Sequence, residues 1–230
     1  MDRNIFTRKK KLMGAMNITA LIALGVVMQI GGAYLVNAAV IFMGDSGVAG
    51  QYSDYMEVIR SLDTRNIMQA IIVMPIIEEL VFRLIFLRAG RMIMPFWAAN
   101  LVQAVLFGVY HTVTIQRIYG FVLGLMIGCV FYYCPIIYKG TWNRTEEPSP
   151  CPAPQLLGLP NSLMGYGITV MLHVTINAAG IFLAPLLPAD IPLALQFAIG
   201  TIFIALAATA CLKLYMLEKS ITDVSSGGVS

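Results

Sequence analysis

The stretch Met74–Arg88 constrains this chain more than any other. Two adjacent acids, Glu78 and Glu79, stand inside an apolar run long enough to cross a bilayer, and Arg83 follows one helical turn later. Ionisable side chains at membrane depth are costly, so they mark a site and call for partners elsewhere in the chain. The setting is a membrane protein by composition as well. Only 12% of the 230 residues are charged and 58% are hydrophobic, with a mean hydropathy of +0.78. A soluble domain carries about 25% charged residues. No basic-aromatic stripe suggests nucleic-acid binding.

Apolar runs divide the chain into an all-α, polytopic transmembrane bundle of about six spans. They are placed at 18–43, 66–89, 95–116, 118–138, 162–187 and 191–216. Gly31-Gly32 is a candidate kink in the first. Residues 1–16 form a basic segment with Arg3, Arg8, Lys9, Lys10 and Lys11, read as cytoplasmic. The run after it is too long for a cleaved signal peptide. Residues 44–65 read as a polar loop with room for a short surface helix. Five prolines between Pro148 and Pro160 make 139–161 an extended loop. Residues 217–230 read as a flexible, Gly/Ser-rich tail. Thus 17–216 is one transmembrane domain. With both ends in the cytoplasm, eleven Lys and Arg residues fall on the inside and three on the outside, as the positive-inside rule requires.

The deep polar residues are few. Beyond Glu78, Glu79 and Arg83 there are Gln103 and His111 in the third span and His173 and Asn177 in the fifth; the chain has only two histidines. On a regular helix Glu79 and Arg83 share a face and can pair. Glu78 lies roughly 140° around from Arg83 and points elsewhere. Phe107 shares a face with His111, and His173 with Asn177. Counted from the cytoplasmic ends, Glu78, His111, His173 and Asn177 lie roughly 17–24 Å deep and can meet at one level. Gly120, Gly124 and Gly128, spaced by four, read as a close helix contact. The four cysteines form no framework and read as free thiols.

A carboxylate held away from bulk water can serve as general base toward water. Imidazole and amide N–H groups can stabilise a developing oxyanion. This set suits peptide-bond hydrolysis without a covalent intermediate. No cofactor is needed. A zinc-dependent version is the competing chemistry and would use Glu78, His111 and His173 as ligands. A polar cluster that only fixes helix packing is the third possibility.

The motifs resemble those of the CPBP family (CAAX protease and bacteriocin-processing enzymes, also called Abi proteins). Glu78-Glu79-Leu80-Val81-Phe82-Arg83 is similar to its EExxxR motif, Phe107-Gly108-Val109-Tyr110-His111 to FxxxH, and His173-Val174-Thr175-Ile176-Asn177 to HxxxN. They occur in the family's order within a core of residues 66–187. The resemblance implies an intramembrane endopeptidase acting on a small peptide or membrane-associated substrate. By motif, Glu78 and His111 would activate water and His173 and Asn177 would bind the oxyanion. Glu79, Arg83 and Phe107 would support the site. The family also holds immunity proteins, so a non-catalytic immunity factor or scaffold stays open. The resemblance points to a bacterial plasma membrane, with the lipid bilayer and a peptide or protein substrate as partners. Oligomeric state is not legible.

Overall fold

The computed structural model describes residues 18–44, 46–61, 63–142, 159–188 and 190–226. Those residues form helices and no strand. Helix α1 is Ile18–Met43 and α2 is Gly47–Arg60. Ser46 caps α2, its hydroxyl accepting from the Ala49 N–H at 3.3 Å. Helix α3 is one helical run, residues 64–93, that changes pitch: Gln69–Val73 and Leu80–Leu87 are π-helical and flank an α-helical piece, Met74–Glu79. Asp63 caps its start, accepting from the Asn66 N–H at 2.8 Å. Then come α4, Phe96–Tyr110; α5, Thr114–Trp142; α6, Leu159–Phe182; and α7, Leu193–Ser226.

Four of these helices are long and apolar enough to cross a membrane: Thr19–Met43, Thr114–Pro135, Leu159–Leu186 and Leu193–Met216. The other two expected spans correspond to α3 and to α4, a helix of 15 residues. The all-α polytopic bundle stands, and the boundaries move. The third span ends at Tyr110, because the chain bends at residues 111–113 and restarts at Thr114. Helix α5 runs on to Trp142 through Pro135, past the loop boundary placed at 139. Helix α7 extends to Ser226, so most of the expected tail is helical; Leu217, Glu218 and Lys219 are good helix formers. Residues 1–17, most of the Pro-rich loop and residues 227–230 lie outside the described residues. Helix α1 passes through Gly31-Gly32 without a break. Those glycines admit neighbours instead: a Cβ on Gly32 would run into the Tyr119 ring.

Helix α5 is the centre of the bundle. Of its membrane window 67% is buried inside the protein, against 33% or less for the other three spans. It packs against α4, α6 and α7, while α1 lies on α6 and α7. Its glycines meet α4 as the spacing predicted. A Cβ on Gly124 would lie 3.0 Å from the Ala104 Cα, and one on Gly128 would collide with the Asn100 Oδ1. Gln103, grouped by sequence with the deep polar set, serves this seam instead. Its Nε2 donates to the Gly124 carbonyl at 2.9 Å and to Asn100 Oδ1 at 2.7 Å; Asn100 Nδ2 donates to the Leu125 carbonyl at 3.0 Å. Both amides are buried. Cys129, Cys134 and Cys211 are free and buried.

Candidate active site

The site lies where the middle of α3 meets α4 and α6. Glu79 closes the α-helical piece of α3, and Arg83 follows in the π-helical run. Both are fully buried, and Arg83 Nη1 lies 3.2 Å from Glu79 Oε1. This is the pair that the four-residue spacing predicted.

The neighbouring acid departs from expectation. Glu78 does not point away from this pair. His173, from α6, stands between the two carboxylates: its Nδ1 is 2.8 Å from Glu79 Oε1 and its Nε2 is 3.5 Å from Glu78 Oε2. The expected angle assumed a regular helix. The π-helical run beginning at Leu80 bonds five residues apart rather than four, which changes the phase beyond it. In addition, an imidazole presents its nitrogens on two edges, so adjacent carboxylates can each take one. Glu78 is 7% exposed and His173 4%, so the contacts are made out of water.

Phe107 binds the cluster from α4. Its ring is 1% exposed. The Arg83 guanidinium carbon lies 4.4 Å from its centroid. The rings of His111 and His173 meet it edge-on at 5.0 and 5.8 Å, and Phe82 does so at 5.1 Å. One aromatic ring therefore touches the cation and both imidazoles, with a geometry that suits its quadrupole.

His111 is not inside a helix. It ends α4 in extended conformation, φ −76° and ψ 141°. Its Nδ1 sits 2.8 Å from the Phe107 carbonyl, which only accepts, so Nδ1 carries the proton and Nε2 is left as acceptor. Arg117 Nε donates to the His111 carbonyl at 2.8 Å and holds the bend. A Cβ on Gly120 would lie 3.3 Å from His111 Nδ1; the first glycine of the α5 stripe thus makes room for this ring. His111 lies within electrostatic range of Glu78.

Asn177 follows His173 by one turn on α6. It is half-buried, and its Nδ2 donates to the Ala70 carbonyl at 3.0 Å. Ala70 is in the first π-helical segment of α3, so this amide ties α6 to α3. Thr169, missed by sequence, precedes His173 by one turn. It is fully buried, and its hydroxyl donates to the Tyr166 carbonyl at 3.1 Å. The step of four through Thr169, His173 and Asn177 was the available signal. Among the described residues no group of three or more His, Cys, Asp or Glu that could hold a metal ion is found.

The chain matches no curated protein and no solved structure. The segment 61–143 matches a family model described as "Type II CAAX prenyl endopeptidase Rce1-like". That segment holds the first two motifs, with Glu78, Glu79, Arg83, Phe107 and His111, while His173 and Asn177 lie beyond it. The matched family agrees with the resemblance that the motifs carry, over a segment that covers just over a third of the chain.

Proposed function

We propose that this protein is an intramembrane endopeptidase that hydrolyses a peptide bond in a small peptide or membrane-associated protein. Glu78 acts as general base and takes a proton from water. His111, with Nε2 free to accept, holds that water. His173 and Asn177, the latter through the N–H that is not given to the Ala70 carbonyl, bind the oxyanion. Glu79, Arg83 and Phe107 keep the site in shape. No cofactor is required in this reading, and the protein sits in a bacterial plasma membrane with both termini in the cytoplasm.

The observation that carries the proposal is the Glu78–His173 contact of 3.5 Å, buried and beside a second, separately anchored histidine. A packing cluster needs the Glu79–Arg83 pair. It has no use for an additional acid held against an imidazole.

The test uses purified full-length protein in proteoliposomes and a library of fluorogenic peptides, with and without a C-terminal isoprenoid. Wild type should cleave at least one member. Glu78→Gln, which keeps shape and removes the base, should lower kcat by 10²-fold or more with unchanged protein levels in the membrane. Equal cleavage by Glu78→Gln and wild type would refute the role of Glu78.

A further inference from the structure

Both nitrogens of His173 face carboxylate oxygens. Nδ1 lies 2.8 Å from Glu79 Oε1, and Nε2 lies 3.5 Å from Glu78 Oε2. An ionised carboxylate only accepts hydrogen bonds. The Nδ1 contact has hydrogen-bond length and therefore carries a ring proton, whereas the Nε2 contact, at 3.5 Å, is longer than an ordinary hydrogen bond and requires none. The same Glu79 oxygen is held by Arg83 Nη1 at 3.2 Å, so it has a fixed partner on each side. Glu79, Arg83 and His173 all stand on elements packed around this point, and the first two are fully buried. From these contacts we infer that Glu79 is a positioning residue: it fixes the proton of His173 on Nδ1, turns Nε2 toward Glu78, and so makes His173 the carrier of a proton between Glu78 and the leaving amine.

The kinetic half of this inference rests on the proposed peptidase activity; the location of the proton does not. The steps balance as follows. An O–H bond of water breaks, its oxygen bonds to the scissile carbonyl carbon, and the proton goes to Glu78 Oε2. That proton crosses to His173 Nε2. Nε2–H then faces the tetrahedral centre as a donor. The C–N bond breaks, its electron pair stays on nitrogen, and the nitrogen takes the proton from Nε2. His173 is left with its single proton on Nδ1, Glu78 is again a carboxylate, and the second water proton leaves on the new carboxyl group. With Nδ1 occupied by Glu79, Nε2 becomes a donor only after Glu78 has taken its proton. The interaction is thus strongest when the oxyanion exists, which is the condition for raising kcat rather than binding.

Two histidines in the whole chain make the proton directly readable. The full-length protein, labelled with ¹⁵N-histidine and held in nanodiscs, gives two imidazole signal sets, and His111→Gln assigns them. His173 should show a protonated Nδ1. A bare Nδ1 with the proton on Nε2 would overturn the inference whether or not the protein cleaves peptides. In the peptide assay Glu79→Gln, which keeps an acceptor but loses the charge, should lower kcat by at least 10²-fold with KM within threefold. Glu79→Asp should recover at least tenfold over Glu79→Gln. Equal rates for the two variants, or a Glu79→Gln rate within threefold of wild type, would overturn the relay.

Discussion

Phe107 sits where every charged part of the site can be disturbed at once. Its face takes the Arg83 cation at 4.4 Å, and it makes T-shaped contacts with His111 and His173. Among the described residues Arg83 pairs with one acid, Glu79, and it lies wholly out of water, so the ring carries part of the burden of keeping a cation there. A desolvated cation–π contact contributes about 2 kcal/mol. In unfolding measurements in bicelles, Phe107→Leu and Arg83→Met should each destabilise. Their double-mutant cycle should return a coupling of about 1–2 kcal/mol. Strict additivity would mean that the ring fills space and does nothing for the charge. At this scale much of the site was legible in the sequence. The Glu79–Arg83 pair and the Phe107–His111 neighbourhood followed from a step of four residues. That Glu78 and Glu79 both reach His173 did not follow, because a helical wheel describes one regular helix. It cannot place a side chain borne by another.

Among the elements, α3 was the least legible. Its apolar run announced a span, but nothing in Leu80–Leu87 marks a change from α to π pitch. In the other π-helical piece, Gln69–Val73, Asn177 bonds the carbonyl of Ala70. The end of α4 was equally hidden. His111 stands out in its apolar run as a histidine, but nothing marks it as a helix end until Arg117, six positions on, is seen to hold its carbonyl. The glycine stripe of α5 was plain, because small residues at a step of four have few other uses. It gives a direct prediction. Gly128→Ala sets a methyl group against the Asn100 amide and should cost about 1–3 kcal/mol, the usual range for overpacking. It should also disturb the hydrogen bonds that Gln103 and Asn100 make to α5. Gly167→Ala on α6, where a Cβ meets nothing within 4 Å, should leave the melting temperature unchanged or raise it slightly. A melt of both variants in the same detergent separates a lost seam from a general intolerance of substitution at glycine. If the two behave alike, the α4–α5 contact is looser than these distances imply.

The whole molecule turns most of its polar chemistry inward and leaves apolar side chains on its outer surface. Ile77, Ile85 and Phe86 of α3 and Leu101, Val105 and Val109 of α4 are exposed on the helices that carry the site. Such a surface fits lipid, so the carboxylates and imidazoles lie behind a wall that faces the hydrocarbon. The proposed orientation of the bundle rests on its basic residues. Arg88 and Arg91 end α3, and by the positive-inside rule we propose that this end is cytoplasmic, together with the 139–161 segment. The cysteines test this without new residues. Cys129, Cys134 and Cys211 are buried in the bundle, whereas the sequence puts Cys151 in the Pro-rich segment between spans. A membrane-impermeant maleimide should therefore label one thiol in inverted membrane vesicles and none in right-side-out spheroplasts. The labelled thiol should vanish in Cys151→Ser, and the other three should react only after denaturation. Labelling of Cys151 from the outer face would reverse the orientation and with it the face from which water and substrate reach Glu78. Reaction of Cys129 or Cys211 in the native protein would instead mean that α5 is not the packed centre that holds α4, and hence His111, in place.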